Sequence, residues 1–255
     1  MSFELLTVPC LSDNYAFLAH DADTKATLLV DAPEPEPILS ELEKKNWVLT
    51  HVLLTHHHWD HVDGLSKLLE YYSPQIIGSS SDTKRLPPIH LPVGENDEIK
   101  IGNNVGKVLE VSGHTIGHIA VYFEESKLLF SADSLMALGC GRLFEGTAEQ
   151  MWHSLQKLST LPDDTIICSG HEYTETNSNF ALTIDPKNQD LIFRHKNIKK
   201  LRSEGIPTVP STMNEEKNTN PFLRPWCKEI RANLDMIEAT DEEVFTKIRA
   251  LKDEY

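Results

Sequence analysis

Apolar positions in the first half of the chain come in short runs rich in β-branched residues. Phe3–Val8, Tyr15–His20 and Ala26–Val30 are each bounded by turn formers (Pro9, Asp13-Asn14 and Asp21–Asp23), and this punctuation predicts strands. Pro33, Pro35 and Pro37 then block a further strand, and Ile38–Lys45 reads as a helix. Val48–Leu54 is the next predicted strand. Leu65, Leu68, Leu69 and Tyr72 fall at helical spacing. Strands are expected again at Gln75–Gly78, Ile99–Ile101, Lys107–Val111, Ile119–Phe123 and Leu128–Ser131, followed by a helix over Ala148–Leu158 and a strand over Thr165–Ser169.

From about residue 174 the strand pattern stops. The helical candidates there are Asn188–Ser203, Trp226–Glu238 and Glu242–Lys252, with a Pro/Asn/Thr-rich connection at Gly205–Pro221. Strands mixed with helices, then helices alone, predict an α+β or α/β body with an all-α appendage. A division follows, into residues 1–173 and 174–255.

Composition narrows the function. The 255 residues carry 24 Lys+Arg against 39 Asp+Glu, a formal net charge of −15, which argues against a nucleic-acid partner that needs a basic face. No apolar run approaches the roughly 18–20 residues of a membrane span, and the first residues lack a signal-peptide pattern. Four widely spaced cysteines, Cys10, Cys140, Cys168 and Cys227, form no C-x-x-C pair. They are expected to be small buried hydrophobes in a reducing cytoplasm.

Histidine is the abundant oddity, at twelve residues. Thr55-His56-His57-His58-Trp59-Asp60-His61 follows directly on a predicted strand, where ligands collect in sheets covered by helices. In extended chain His56, His58 and Asp60 point one way, and His61 follows as the chain turns. A helix carrying His57 and His61 as an i, i+4 pair is not expected, because the preceding segment reads as strand. Alone, such a tract is as often an adventitious metal binder as a built site. More ligand-type residues follow later strands: Gly113-His114-Thr115-Ile116-Gly117-His118, Asp133, and Gly170-His171-Glu172-Tyr173. His56, His58, Asp60, His61, His114, Asp133 and His171 are too many for one catalytic zinc, which takes about three protein ligands, and suit two ions. Imidazole with carboxylate favours zinc, iron or manganese. Asp31, Asp63 and His51 are expected to be ordinary hydrogen-bonded loop residues.

T-H-x-H-x-D-H, then G-H-T-x-G-H, a distal Asp and a late G-H-E-Y resemble the metallo-β-lactamase superfamily. Within it the chain is most similar to the glyoxalase II (hydroxyacylglutathione hydrolase) family. Ser12-Asp13-Asn14-Tyr15, Gly139-Cys140-Gly141-Arg142 and Asn220-Pro221-Phe222-Leu223-Arg224 extend that similarity over nearly the whole chain. The resemblance implies a four-layered αβ/βα sandwich with a C-terminal all-α domain. It implies one metal held by His56, His58 and His114, and a second held by Asp60, His61 and His171, with Asp133 bridging. Two divalent ions per chain follow, zinc first, with iron or manganese as alternatives. His118 is expected to support the site rather than bind metal.

The implied reaction is hydrolysis of S-(2-hydroxyacyl)glutathione, chiefly S-D-lactoylglutathione, to glutathione and D-lactate, the second step of methylglyoxal detoxification. Two cations lower the pKa of a shared water from about 15.7 towards 7, so hydroxide attacks the thioester carbonyl. Asp60 and Asp133 carry the catalytic carboxylates. A thiolate with a pKa near 8.5 leaves without a general acid. Arg142, Tyr173, Arg249 and Lys252 are the implied substrate-binding residues. Arg249 and Lys252 are three apart on the last predicted helix and so share a face. Phe144 stands where some relatives carry a glutathione-contacting Tyr, and Arg224 reads as structural. The competing readings are another hydrolase of the superfamily, such as a lactonase or β-lactamase, a mononuclear-iron glutathione persulfide dioxygenase, and a non-catalytic metal binder. The expected working unit is a cytoplasmic monomer.

Overall fold

The computed structural model describes residues 3–255. Two compact units divide the chain: residues up to Glu110 with Gly117–Ala132, and Val111–Ile116 with Asp133–Tyr255.

The first unit opens with β1 (Glu4–Cys10), β2 (Asn14–His20) and β3 (Thr27–Val30), paired antiparallel. Beyond β3 the sheet continues parallel through β4 (His51–Leu54), β5 (Gln75–Ser79) and β6 (Leu91–Val93). Val52, Leu53 and Leu54 are all buried, as a central parallel strand requires. The β3-to-β4 crossover carries α1 (Pro35–Lys45), which starts three residues before the apolar spacing does. Proline suits a first helical turn, whose N–H groups have no helical acceptor. Asn46 ends the helix in the left-handed region, φ 54°. Ile38 and Leu42 pack into the core with Leu49 and Val52.

After β4 come α2 (Trp59–Val62) and α3 (Leu65–Leu68), each one turn. The helix expected as far as Tyr72 is shorter, because bonding loosens to the i−3 pattern (Glu70 N–H to the Lys67 carbonyl) ahead of Pro74. A second sheet follows: β7 (Glu98–Ile101), β8 (Asn104–Glu110), β9 (Ile119–Phe123) and β10 (Leu128–Ala132), an antiparallel meander. It faces the first sheet through aromatic rings. Phe17 of β2 meets Phe130 of β10 at 6.0 Å, and Phe3 meets Phe123 edge-on at 5.0 Å. Such pairs add about 0.5–1.5 kcal/mol each beyond their buried area. This unit is therefore a two-sheet sandwich.

The second unit begins with a tight hairpin, β11 (Leu135–Met136) and β12 (Gly139–Cys140). Then come α4 (Ala148–Ser159) and β13 (Ile166–Ser169), which pairs with β14 (Ser211–Thr212). Its remaining helices are α5 (Thr174–Ile184), α6 (Gln189–Ser203), α7 (Met213–Thr219), α8 (Lys228–Asn233) and α9 (Asp241–Glu254). Capping boxes start α4, α7 and α9, at Thr147/Gln150, Thr212/Glu215 and Thr240/Glu243. Trp152, Phe245, Phe222 and Phe180 form a chain of ring contacts through its core.

Three expectations change in this unit, the first being that α5 forms where no helix is expected. The stretch 205–221, read as a connection, contains both β14 and α7. Of the helix expected over Trp226–Glu238, only Lys228–Asn233 forms. Helical side chains also hold the 135–140 hairpin in place. Asn177 donates to the Ala137 carbonyl at 3.1 Å, and Asn220 to the carbonyls of Met136 and Gly139. Glu216, fully buried, accepts from Leu138 N–H at 2.8 Å and pairs with Arg194. A buried ion pair holds when each partner's remaining polar atoms are bonded in this way. Among the described residues, no helix is long and apolar enough to cross a membrane.

Candidate metal centre

The first unit supplies the histidine tract. Thr55 to His58 run on from β4 as extended chain, and His58 caps α2 with φ −60° and ψ 143°. A helical turn does start at Trp59, contrary to the strand reading, so Asp60 and His61 are helical and His57 is not. Four extended or capping residues followed by one turn thus gather His56, His58, Asp60 and His61. The rings of His56 and His61 are 4.2 Å apart, and those of His56 and His58 4.7 Å.

Hydrogen bonds fix the protonation of these rings. Thr55 donates its hydroxyl to Asp31 at 2.8 Å, so at 3.0 Å it accepts from His56 Nδ1. His61 Nδ1 donates to the same Asp31 carboxylate at 2.8 Å. Both rings therefore carry their proton on Nδ1 and turn a lone pair outward on Nε2, the arrangement of metal-binding imidazoles. His58 Nδ1 lies 3.1 Å from His56 Nε2. Two nitrogens about 2.0–2.1 Å from one tetrahedral ion lie ~3.3 Å apart, so this pair fits a shared cation. His61 Nε2 is 3.7 Å from Asp60 Oδ2, and Asn14 donates to that carboxylate oxygen at 3.1 Å. Asp31, His56 and His61 offer ligand atoms within 4.8 Å of one another.

Asp31 was expected to be an ordinary loop residue, yet it orients two imidazoles. His57 is anchored outside the ligand set, donating from Nδ1 to Asp82 at 3.0 Å. Asp82 is buried and also pairs with Arg85. It packs so tightly on Gly117 that any Cβ there would lie 2.7 Å from the Asp82 Cβ. His118 stacks on His56 at 4.7 Å and bonds the Ile119 carbonyl, a supporting position.

The second unit supplies His114, Asp133 and His171, all buried. His171 follows β13, as the sequence predicts, and Asp133 follows β10. Asp133 Oδ2 lies 3.4 Å from His114 Nε2 and 3.2 Å from His171 Nε2. His114 Nδ1 donates to the Arg142 carbonyl at 2.8 Å, which again leaves Nε2 as the open nitrogen. Gly141 is required here. A Cβ would overlap the Asp133 carbonyl and press on His114 Nδ1. Aromatic rings flank both imidazoles: Phe144 edge-on to His114 at 5.3 Å, and Tyr173 stacked on His171 at 4.7 Å. Both rings are exposed.

The expected substrate-binding cations lie in this unit as well. Arg142 is exposed, and its Nε reaches Asp253 at 3.3 Å. Arg249 is buried, donating to the Cys140 carbonyl and to Asp253, both at 2.9 Å. Lys252 lies 5.2 Å above the rings of Phe180 and Tyr255. Burial first, then the neighbouring Arg249 charge, lowers its pKa to about 8. Arg224 is structural, bonded to the Asn218 carbonyl and Asp185.

Comparison with known proteins gives the following. Residues 12–171 match the metallo-beta-lactamase superfamily, and residues 172–255 match the hydroxyacylglutathione hydrolase C-terminus. A hydroxyacylglutathione hydrolase of Ruegeria pomeroyi is 56% identical over 255 residues, covering the whole of both chains. One from Rhizobium meliloti is 48% identical over 254 residues, 100% of this chain and 99% of that one. Among solved structures, ETHE1 from Myxococcus xanthus superposes with a TM-score of 0.67 at 25% identity, over 98% of this chain and 90% of that one. The BLEG-1 B3 metallo-beta-lactamase gives 0.67 at 20% identity, over 86% and 99%, a likeness of fold.

Proposed function

The chain belongs to the hydroxyacylglutathione hydrolases of the metallo-β-lactamase superfamily, and from that premise we propose how its own residues carry the reaction. It is a metal-dependent hydrolase that cleaves the thioester of S-(2-hydroxyacyl)glutathione to glutathione and a 2-hydroxy acid, S-D-lactoylglutathione giving D-lactate. The donor set, imidazoles of which His56, His61 and His114 open on Nε2, beside carboxylates, fits divalent metal. We assign one ion to His56, His58 and His114 and a second to Asp60, His61 and His171, with Asp133 shared; zinc is the first candidate, then iron or manganese. We assign residues 1–173 to a metallo-β-lactamase-like domain, which also supplies Arg142 and Tyr173, and 174–255 to a C-terminal helical substrate-binding domain.

When bound, such ions supply Lewis acidity and a nucleophile of hydroxide strength from water near neutrality. The protein's own contribution is orientation. Asp31 (through Thr55 for His56) and the Arg142 carbonyl keep the proton on Nδ1 of His56, His61 and His114, so that these three rings turn no N–H towards the ions. Asn14 holds the Asp60 carboxylate. Arg142, Arg249 and Lys252 attract the carboxylates of the glutathione moiety, which an acidic protein must do locally because charges more than about 8 Å apart are screened. Tyr173 and Phe144 flank the imidazoles with apolar surface that keeps bulk water off the thioester. The thiolate leaves unassisted.

The observation that carries this reading is Asp133 Oδ2 within 3.4 Å of Nε2 on both His114 and His171. A single carboxylate oxygen this close to Nε2 of two imidazoles suits a ligand shared by two ions. The four cysteines are buried free thiols, burial pushing that of Cys10 up to about 12, which fits the reducing, cytoplasmic setting we propose; the proposed working unit is a monomer. The test is loss of thioester absorbance from S-D-lactoylglutathione, with metal counted per chain. Turnover with two ions is expected; an inert protein holding its full metal complement would refute the assignment.

A further inference from the structure

Asp253, in the last turn of α9, touches no metal-ligand residue. Its Oδ1 nevertheless accepts from two cations that arrive from different elements, Arg249 at 2.9 Å and Arg142 at 3.3 Å. The two guanidinium groups lead on to one short segment. Arg249 Nη1 holds the Cys140 carbonyl, and the Arg142 carbonyl accepts from His114 Nδ1. Between them stands Gly141, closed in by the Asp133 carbonyl and His114. Arg142 has a largely exposed side chain, and its Nε donates to Asp253.

We propose that Asp253 is a positioning residue: it locks Arg142 and Arg249 into one cation pair and so clamps the Cys140–Arg142 segment, on which the ring of His114 rests, to the end of α9. This deepens the reading above and depends on it only for the substrate. A carboxylate beside two substrate-binding cations has an alternative role of opposite sign. If Asp253 were only a counter-charge competing with the anionic substrate, removing it would tighten binding. As a clamp, it holds two flexible side chains in one geometry before substrate arrives, and losing it weakens binding.

The test compares D253N and D253A with the wild-type metal-loaded chain. Asparagine keeps the Oδ1 acceptor and loses the charge, whereas alanine loses both. The clamp predicts KM for S-D-lactoylglutathione about 10-fold higher in D253A, kcat within about 3-fold, and most of the KM restored in D253N. It also predicts faster amide hydrogen exchange at 140–142 in D253A without substrate, with global melting unchanged or nearly so. Lower KM in both variants would overturn the proposal in favour of a counter-charge. Unchanged KM and exchange in D253A would overturn it outright. Should the wild-type chain fail to turn over or bind glutathione, the functional reading falls, while the exchange comparison still decides whether Asp253 clamps the segment.

Discussion

The two units hold their imidazoles by different chemistry. In the first, carboxylates do it: Asp31 orients His61 directly and His56 through Thr55, and Asp82 anchors His57. In the second, a neutral main-chain carbonyl holds His114, and the carboxylate beside the rings is Asp133 itself. A carboxylate acceptor raises ring basicity and fixes tautomer and orientation together. A carbonyl fixes orientation only as well as its own segment is fixed. Hence the first set depends on buried acids near β3 and β5, and the second on the packing of residues 139–142.

That contrast can be broken most severely at Asp133. If its carboxylate serves both ions, D133A will lower turnover by on the order of 10³-fold and drop metal content below two per chain, read by thioester assay and elemental analysis. Retention of two ions would show that Asp133 is not shared. Asp31 is the next test. Its backbone is left-handed, φ 58°, which asparagine tolerates, so D31N keeps the fold and changes only the acceptor. Metal affinity should fall about 10–100-fold in a competition titration.

Lys252 tests the cations of the second unit by pH. With its pKa lowered to about 8 by burial and by Arg249, the ammonium is charged below that pH and lost above it, with Asp253 and Cys140 the other ionisable groups acting on it. KM should therefore rise up to about 10-fold between pH 7 and pH 9 while kcat changes less. K252A should show the raised KM already at pH 7 and a flat profile. The smallest effect is expected at Phe144, whose exposed ring lies edge-on to His114. F144Y adds one hydroxyl at the rim, and KM should fall by about 2–5-fold through one hydrogen bond to substrate. An unchanged KM would mean that the ring serves only as apolar cover.

The ligand-type residues were legible because they repeat a local pattern, a polar residue in a turn just after an apolar strand. His56–His61, His114, Asp133 and His171 all obey it. The residues that orient them were not. Asp31 and Asp82 also sit beside strand ends, but nothing distinguishes their side chains from any other loop acid. Asn14 entered only as part of a family motif, and Asp253 reads as a solvated charge on a helix. Among the elements, α5 was missed because Thr174–Ile184 mixes Thr, Asn and Ser with few apolar positions. The expected helix over 226–238 shrank to α8.

Alternation, apolar runs and cap residues are short-range properties, so the chain's order of strands and helices, its acidic balance and its choice of imidazole and carboxylate ligands could be read residue by residue. Which nitrogen of His61 and of His114 stays open, which acid supports the histidine tract, and how Arg142 reaches Asp253 depend on partners 24 to 111 positions away. Only the packing of strands and helices brings those partners within hydrogen-bond range, and a hydrogen bond reports distance in space, not separation along the chain.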